Sequence, residues 1–380
     1  MRKAYQDRIF GLDVMRAAAI LFVVFSHALW IFPEASGTLV EILRLMGVMG
    51  VEIFFVLSGF LIGRILFRIF TKEDFKTRDL NYFLIRRWFR TLPNYYLVLL
   101  INIGIVLYFG RELPDSIFSY FFFLQNAVDG MDIFFTESWS LPIEEFAYII
   151  CPFLFYIIFL FPLKVSRQKL FLYVTLFIIA FFLCTKIIYN INNPVSDITY
   201  WNINLKAVVL YRIDAIYYGV LAAYISLIHP HRWKSKPEML LILGFLLFLL
   251  LHFLIGTKQL TVEEYPFLWN VVYLPFCSIC IAFSLPYLSG LKTAASYISM
   301  PITFISVISY GMYLLHYSII LQLMRYFKPI EMLTFNEKLV FAGIYLTLTI
   351  CLAFVLYRIY EKPMMDIRDK PYIKKRFSKN

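Results

Sequence analysis

Residues 11–31 read Gly-Leu-Asp-Val-Met-Arg-Ala-Ala-Ala-Ile-Leu-Phe-Val-Val-Phe-Ser-His-Ala-Leu-Trp-Ile, an apolar run interrupted by Asp13, Arg16 and His27. About 20 apolar residues wound as a helix cross a hydrocarbon core of ~30 Å. The stretch therefore reads as a membrane helix with ionisable groups inside it. Such groups are costly in a bilayer and mark functional sites by default.

Working outward, similar apolar blocks recur at 46–69, 91–109, 139–162, 169–189, 207–228, 238–256, 267–288, 302–324 and 339–357. With the first block they make ten spans, so the expected fold is all-α, a polytopic integral membrane protein. A further apolar piece, 117–124, is too short to cross and is flanked by Pro114-Asp115 and Gln125-Asn126, which suits a re-entrant or interfacial segment. The composition agrees: 61% hydrophobic and 16% charged residues, with a mean hydropathy of +0.72, lie outside the soluble range. Barrel strands are excluded because they would alternate in short segments.

The net charge of +11 is no nucleic-acid signal, since the basic residues cluster in the loops between apolar blocks, where topology accounts for them. Placing both termini in the cytoplasm puts most of the 36 Lys and Arg on that side and leaves Arg16, Lys186 and Arg212 deep within helices. The basic start lacks a small-residue cleavage site, so the first block is expected to stay as a helix in the cell's inner, cytoplasmic membrane. Residues 1–380 read as one membrane-embedded domain with a cytoplasmic tail at about 364–380. The five cysteines (Cys151, Cys184, Cys277, Cys280, Cys351) all fall in apolar blocks, so neither a disulfide framework nor a metal site is expected. His229, His231 and His252 read as loop or packing residues.

On the first helix, Arg16 and His27 are separated by eleven residues, which places them within ~20° of one face and ~16 Å apart, with Asp13 near the same face. A cation near the basic side and an imidazole deeper in the membrane suit a long substrate anchored by an anionic part and reacting at its far end. Imidazole is also the natural general base for a hydroxyl near neutral pH. The plainer alternative pairs a snorkelling Arg16 with Asp13 and satisfies His27 by a neighbour on its helix. The second block, Gly50-Val-Glu-Ile-Phe-Phe-Val-Leu-Ser-Gly-Phe60, carries an intramembrane Glu52 and a Ser58-Gly59 pair that permits close helix approach. The loop expected before the third span ends in Arg86-Arg87-Trp-Phe-Arg90, suited to phosphates or to ordinary positive-inside loading. The fourth opens with Ser138-Trp139-Ser140-Leu-Pro-Ile-Glu144-Glu145-Phe-Ala-Tyr148, in which Ser140 and Pro142 make a helix start. Glu144 could complement the helix dipole there or serve an imidazole or sugar hydroxyl. Tyr211-Arg212-Ile-Asp214 offers an ion pair at the sixth span, and Ser309-Tyr310-Gly-Met-Tyr313-Leu-Leu-His316 puts a histidine in the ninth.

Taken in order, these segments resemble the acyltransferase 3 family of membrane acyltransferases, typified by bacterial O-acetyltransferases that decorate surface polysaccharides. The carriers are Arg16 and His27 as R-x10-H, residues 50–60, Arg87-Trp-Phe-Arg90 as R-x-x-R, Trp139 to Glu145, Ser309 to His316, and Glu361-Lys-Pro363. Phe146-Ala147 replace the family's usual Gln-Phe, and Pro142 replaces a small residue. The resemblance implies transfer of an acyl group, commonly acetyl from cytoplasmic acetyl-CoA, to a hydroxyl of a cell-surface polysaccharide or lipid-linked sugar. Some relatives carry a fused hydrolase-like domain, for which these residues leave no room, so chemistry is expected in the helices and short loops.

The expected catalytic set is His27, Glu144, Glu145 and His316, with His27 as general base or transient acyl carrier, and acyl-CoA held by Arg16, Arg87 and Arg90. Supporting roles fall to Asp13, Glu52, Ser58, Trp139, Ser140, Tyr148, Arg212, Asp214, Tyr310 and Tyr313. No cofactor is expected to be permanently bound; acyl-CoA is a co-substrate. The expected partners are acyl-CoA, a glycan acceptor and the bilayer, and a homodimer is compatible with the sequence. The alternative from another class is a glycan or lipid-linked sugar transporter or flippase, for which buried charges are equally expected but an internal repeat is missing.

Overall fold

The structure, a computed structural model, describes residues 8–161, 164–193 and 197–370. The end of the fourth expected span at 162 and residues 371–380 of the expected tail lie outside the described residues. Among the described residues there are helices and no strand. Nine of the described helices are long and apolar enough to cross a membrane, whereas the sixth expected span, 207–228, is only the shorter apolar helix Ile213–Ile228. In chain order the elements are α1 (Phe10–Ala28), α2 (Thr38–Phe70), α3 (Thr77–Tyr108), α4 (Ile117–Phe121), α5 (Ser140–Phe159), α6 (Arg167–Asn192), α7 (Ile213–Ile228), α8 (Pro230–Ser235), α9 (Pro237–Lys258), α10 (Leu268–Gly290), α11 (Ser296–Phe327) and α12 (Phe335–Arg368).

The middle of the bundle is built on α2 and α7, which meet backbone to backbone. A Cβ on Gly59 would lie 1.8 Å from the Ile216 carbonyl oxygen, and one on Gly219 would lie 2.0 Å from that of Val56. Small residues at such a crossing let van der Waals contact replace the hydrophobic drive that a lipid solvent does not supply. Helix α1 packs along α2 and α11. The short apolar piece at 117–124 forms the five-residue α4, and α3 ties it down through Tyr95 Oη to the Tyr120 carbonyl (2.7 Å) and Tyr96 Oη to that of Phe121 (2.8 Å). It does not cross.

Three expectations are corrected here. The Arg86–Arg90 cluster lies within a helix, not in a loop: α3 starts at Thr77, where the Asp79 carboxylate accepts the Lys76 amide at 3.2 Å, and it runs on past Pro93. Arg and Lys are good helix formers, so the helix extends beyond its apolar part. Likewise α12 runs beyond the expected end of the tenth span at 357, to Arg368. Finally, Arg212 and Asp214 do not pair with each other. Arg212 binds Glu52 of α2, whose other oxygen accepts Ser278 Oγ of α10 at 3.0 Å, and Asp214 binds Lys186 of α6 at 2.6 Å. Two residues apart at a helix start, Arg212 and Asp214 do not face one another, and each finds its counter-charge on a neighbouring helix.

Candidate active site

Helix α1 delivers Asp13, Arg16 and His27. The Asp13 carboxylate is fully engaged, accepting Arg8, Ser306 Oγ (2.7 Å) and Thr303 Oγ1 (3.3 Å). Arg16 Nη1 is therefore left at 3.6 Å from Asp13 and 3.2 Å from Ser306 Oγ, a loose hold. The Arg16–Asp13 contact expected from their spacing exists, but Arg8 is the stronger partner of Asp13.

Arg16 opens onto a narrow cavity of about 90 Å³ at the waist of the bundle, whose walls include Ser58, Arg87, Arg90, Glu144 and Tyr310. Arg87 and Arg90 also line a second cavity, about 600 Å³, at the end of the bundle where the chain enters and leaves, together with Lys72, Tyr82, Arg86 and Arg368. The two arginines thus stand where this basal cavity meets the waist. Arg87 lies 4.4 Å from the Tyr148 ring centroid, and its buried Nε has no hydrogen-bond partner. Glu144 accepts Ser58 Oγ (3.0 Å) and Tyr148 Oη (2.7 Å), which aims one carboxylate into the waist. Glu145 faces elsewhere: it accepts Thr91 Oγ1 at 2.8 Å and does not line the cavity. Tyr310 Oη donates to the Thr91 carbonyl at 2.9 Å. Helix α5 starts at Ser140, as expected, without a side-chain cap. The Ser140 hydroxyl pairs with Tyr313 Oη at 2.7 Å, and that phenol reaches the Glu137 carbonyl at 2.7 Å.

Neither glutamate touches His27. Its partner is the other expected histidine, with His27 Nδ1 at 2.9 Å from His316 Nε2. His316 Nδ1 lies 2.8 Å from the Tyr313 carbonyl, which can only accept, so Nδ1 carries the hydrogen. In the neutral ring Nε2 is then a lone pair, and His27 Nδ1 must donate to it. That leaves His27 Nε2 unprotonated and without a partner among the described residues. Second-partner hydrogen bonds of this kind fix which imidazole nitrogen is basic. The sequence locates both rings; their pairing depends on the bundle.

Tyr317, whose ring centroid is 4.8 Å from that of His27, lines a third and larger cavity of about 780 Å³ at the far end, along with Ser318, Asn102, Arg325, Tyr326 and Asp132. Tyr313 belongs to the waist and Tyr317 to the far cavity. On a helix, four residues amount to ~6 Å, so this turn, which carries His316, forms a thin partition between the two cavities, neither of which is lined by His27 or His316.

Sequence reasoning missed two groups at this partition. Glu137 is buried; one oxygen accepts Ser318 N (3.1 Å) and Oγ (2.7 Å), and the other has no partner. Its signal was a carboxylate two residues before Trp139. Lys206 lies 4.8 Å over the Trp139 ring, and Asn126 holds it there by donating to the carbonyls of both Trp139 and Ala207. Burial, then the nearby Arg212 cation, pushes the Lys206 ammonium down to about 8. In the sequence it reads only as a loop charge. Of the remaining supporting residues, Trp139 packs edge-on against Phe55 at 6.1 Å, whereas Glu52, Arg212 and Asp214 form the buried ion pairs behind the waist. Among the described residues no cluster could hold a metal ion.

The profile of an acyltransferase domain, that of the acyltransferase 3 family, matches residues 9–358. The chain is similar to a putative peptidoglycan O-acetyltransferase, YrhL, of Bacillus subtilis, at 29% identity over 82% of the chain and 48% of the relative. It is 27% identical to the peptidoglycan O-acetyltransferase OatA of Listeria monocytogenes over 82% of the chain and 49% of that protein. With the O-acetyltransferase OatA of Staphylococcus aureus it shares 26% identity over 96% of the chain and 58% of the relative. The chain thus spans about half the length of the curated relatives it matches. No solved structure matches it.

Proposed function

The chain belongs to the acyltransferase 3 family, and from that membership we propose that it moves an acetyl group from cytoplasmic acetyl-CoA to a hydroxyl of a cell-wall glycan, peptidoglycan being the acceptor named for its relatives. The observation that carries this reading is the His27–His316 pair, with a free basic nitrogen between an arginine-lined waist and a wide polar cavity. A transporter has no need of such a base.

In this mechanism both termini face the cytoplasm. The basal cavity takes the phosphates of the coenzyme on Lys72, Arg86, Arg87 and Arg90, and the extended pantetheine arm carries the thioester past Arg16 toward His27. The glycan lies in the far cavity, where aromatic and charged side chains suit a saccharide. His27 Nε2 takes the proton of the acceptor hydroxyl as its oxygen attacks the thioester carbonyl carbon. The C–S bond then breaks, and the imidazolium returns the proton to the departing thiolate, giving ester and free coenzyme thiol. His316 holds the imidazole in the reactive tautomer. Glu144, tied to Ser58 and Tyr148, shapes the waist beside Arg87 and is not the partner of the base.

The test is acetyl-CoA consumption by purified protein given glycan fragments. His27→Ala should lower kcat by about 10²- to 10⁴-fold, the usual worth of a general base, with membrane insertion unchanged. Full activity in that variant would overturn the mechanism, and glycan movement without any acyl donor would favour a transporter. Arg87→Ala removes a charge-assisted contact and should raise KM for the donor by about 10- to 100-fold with kcat little changed.

A further inference from the structure

A fourth cavity, about 310 Å³, lies apart from the site, between α7, α9 and α10 near the basal end. Its volume is at the low end for ligand pockets, and its walls are almost all apolar, among them Leu221, Ile225, Leu240, Ile279 and Phe283. The cavity exists because α9, although its His252 Nε2 meets Tyr273 Oη at 3.1 Å, lies mostly outside the bundle. Gly244 is its only buried residue, close enough to α10 that a Cβ there would be 2.6 Å from the Cys280 carbonyl oxygen. Away from that point a crevice remains, and the half-exposed Ile225 (39%) and Ile279 (38%) leave it open to the bundle's surroundings, which in a membrane are acyl chains.

Arg232 of α8 stands at the mouth. Arg232, Lys234 and Lys236 are exposed, and among the described residues none has an acidic partner within salt-bridge distance. The short helix that carries two of them is pinned. Trp233 donates its indole N–H to Ser289 Oγ at 3.1 Å and stacks on Phe60, with centroids 5.7 Å apart and planes 9° from parallel. Tryptophan at such a level is an interfacial anchor, and unpaired cations beside it complement a phosphate.

We propose that this crevice and its basic rim form a binding site for one anionic phospholipid, with an acyl chain between α9 and α10 and the headgroup phosphate on Arg232, Lys234 and Lys236. An apolar slot alone would accept any lipid; the three cations select a negative headgroup. Each basic residue near an anionic surface contributes about 1 kcal/mol, or roughly fivefold.

The test uses full-length protein in phosphatidylcholine nanodiscs doped with a phosphatidylglycerol that carries a diazirine on one acyl chain. Photolabelling should concentrate on Leu221, Ile279 and Phe283. It should fall on the order of 100-fold, the product of three fivefold terms, in the Arg232→Gln/Lys234→Gln/Lys236→Gln variant. These are exposed side chains, so the variant should fold. The same probe on phosphatidylcholine should label the crevice weakly in both proteins. Equal labelling by the two lipids, or labels spread evenly over the outer helices, would overturn the proposal. So would displacement of the label by millimolar inorganic phosphate, which would make the rim a free-anion site.

Discussion

At the scale of single residues, the decisive contact joins side chains that are 289 positions apart, His27 and His316. If His316 works by fixing the His27 tautomer, His316→Ala should lower kcat on the order of 10² while leaving KM for acetyl-CoA unchanged, since the proposed phosphate site lies elsewhere. A matching rise in KM would show that the ring binds substrate instead. The two histidines were legible because an imidazole in an apolar helix is conspicuous. Their bond was not, because one comes from the first helix and the other from the ninth span, and no periodicity links them. The same holds for Glu52 and Arg212, 160 positions apart. Spacing suggested the local partner Asp214, but burial makes a well-placed distant counter-charge worth more than a poorly aimed near one, since a single uncompensated charge there would cost ~3–5 kcal/mol. Ser140 was legible in part: the helix starts there as its sequence suggested, but nothing in the spacing foretold that its hydroxyl is claimed by Tyr313.

At the scale of elements, hydropathy located nine of the ten expected spans as long helices, overextended the sixth, and misjudged several ends. Helix α3 begins well before its apolar part, a start hidden in the sequence because Lys76, not one of the usual capping residues, opens it. That difference moves Arg87 and Arg90 from a loose loop to fixed positions on a helix, and a fixed guanidinium binds phosphate with less ordering cost. The α2–α7 crossing was partly visible in Ser58-Gly59; the matching Gly219 carried no comparable signal. Gly59→Val would force its side chain into the Ile216 carbonyl and separate the two helices, so a loss of about 3 kcal/mol or more is expected, read as a lowered Tm or lost expression in detergent. A wild-type Tm in that variant would mean that the helices part easily.

At the scale of the whole molecule, the arrangement is a basal cavity, a waist and a far cavity in sequence, beside the close α2–α7 contact. Transfer across such a bundle calls for movement of the donor arm and acceptor, not of the helices. The turn of α11 from Tyr313 to Tyr317 then has an electrical meaning. Where watery cavities enter from both sides, a transmembrane voltage falls across the ~6 Å between them instead of ~30 Å of hydrocarbon, so the field at the histidine pair is about fivefold stronger than the average. The same turn would then be the membrane's insulation at this place. Tyr313→Ala, which opens the waist toward the far cavity, should make proteoliposomes leak protons, measured with an internal pH dye against a potassium-diffusion potential; vesicles as tight as wild type would show that the partition lies elsewhere. If His27 is the base, the charge it carries during turnover would move within that steep drop, at ~2.3 kcal/mol per elementary charge per 100 mV for crossing the whole of it. The rate of acylation would then be coupled to the energised state of the cell.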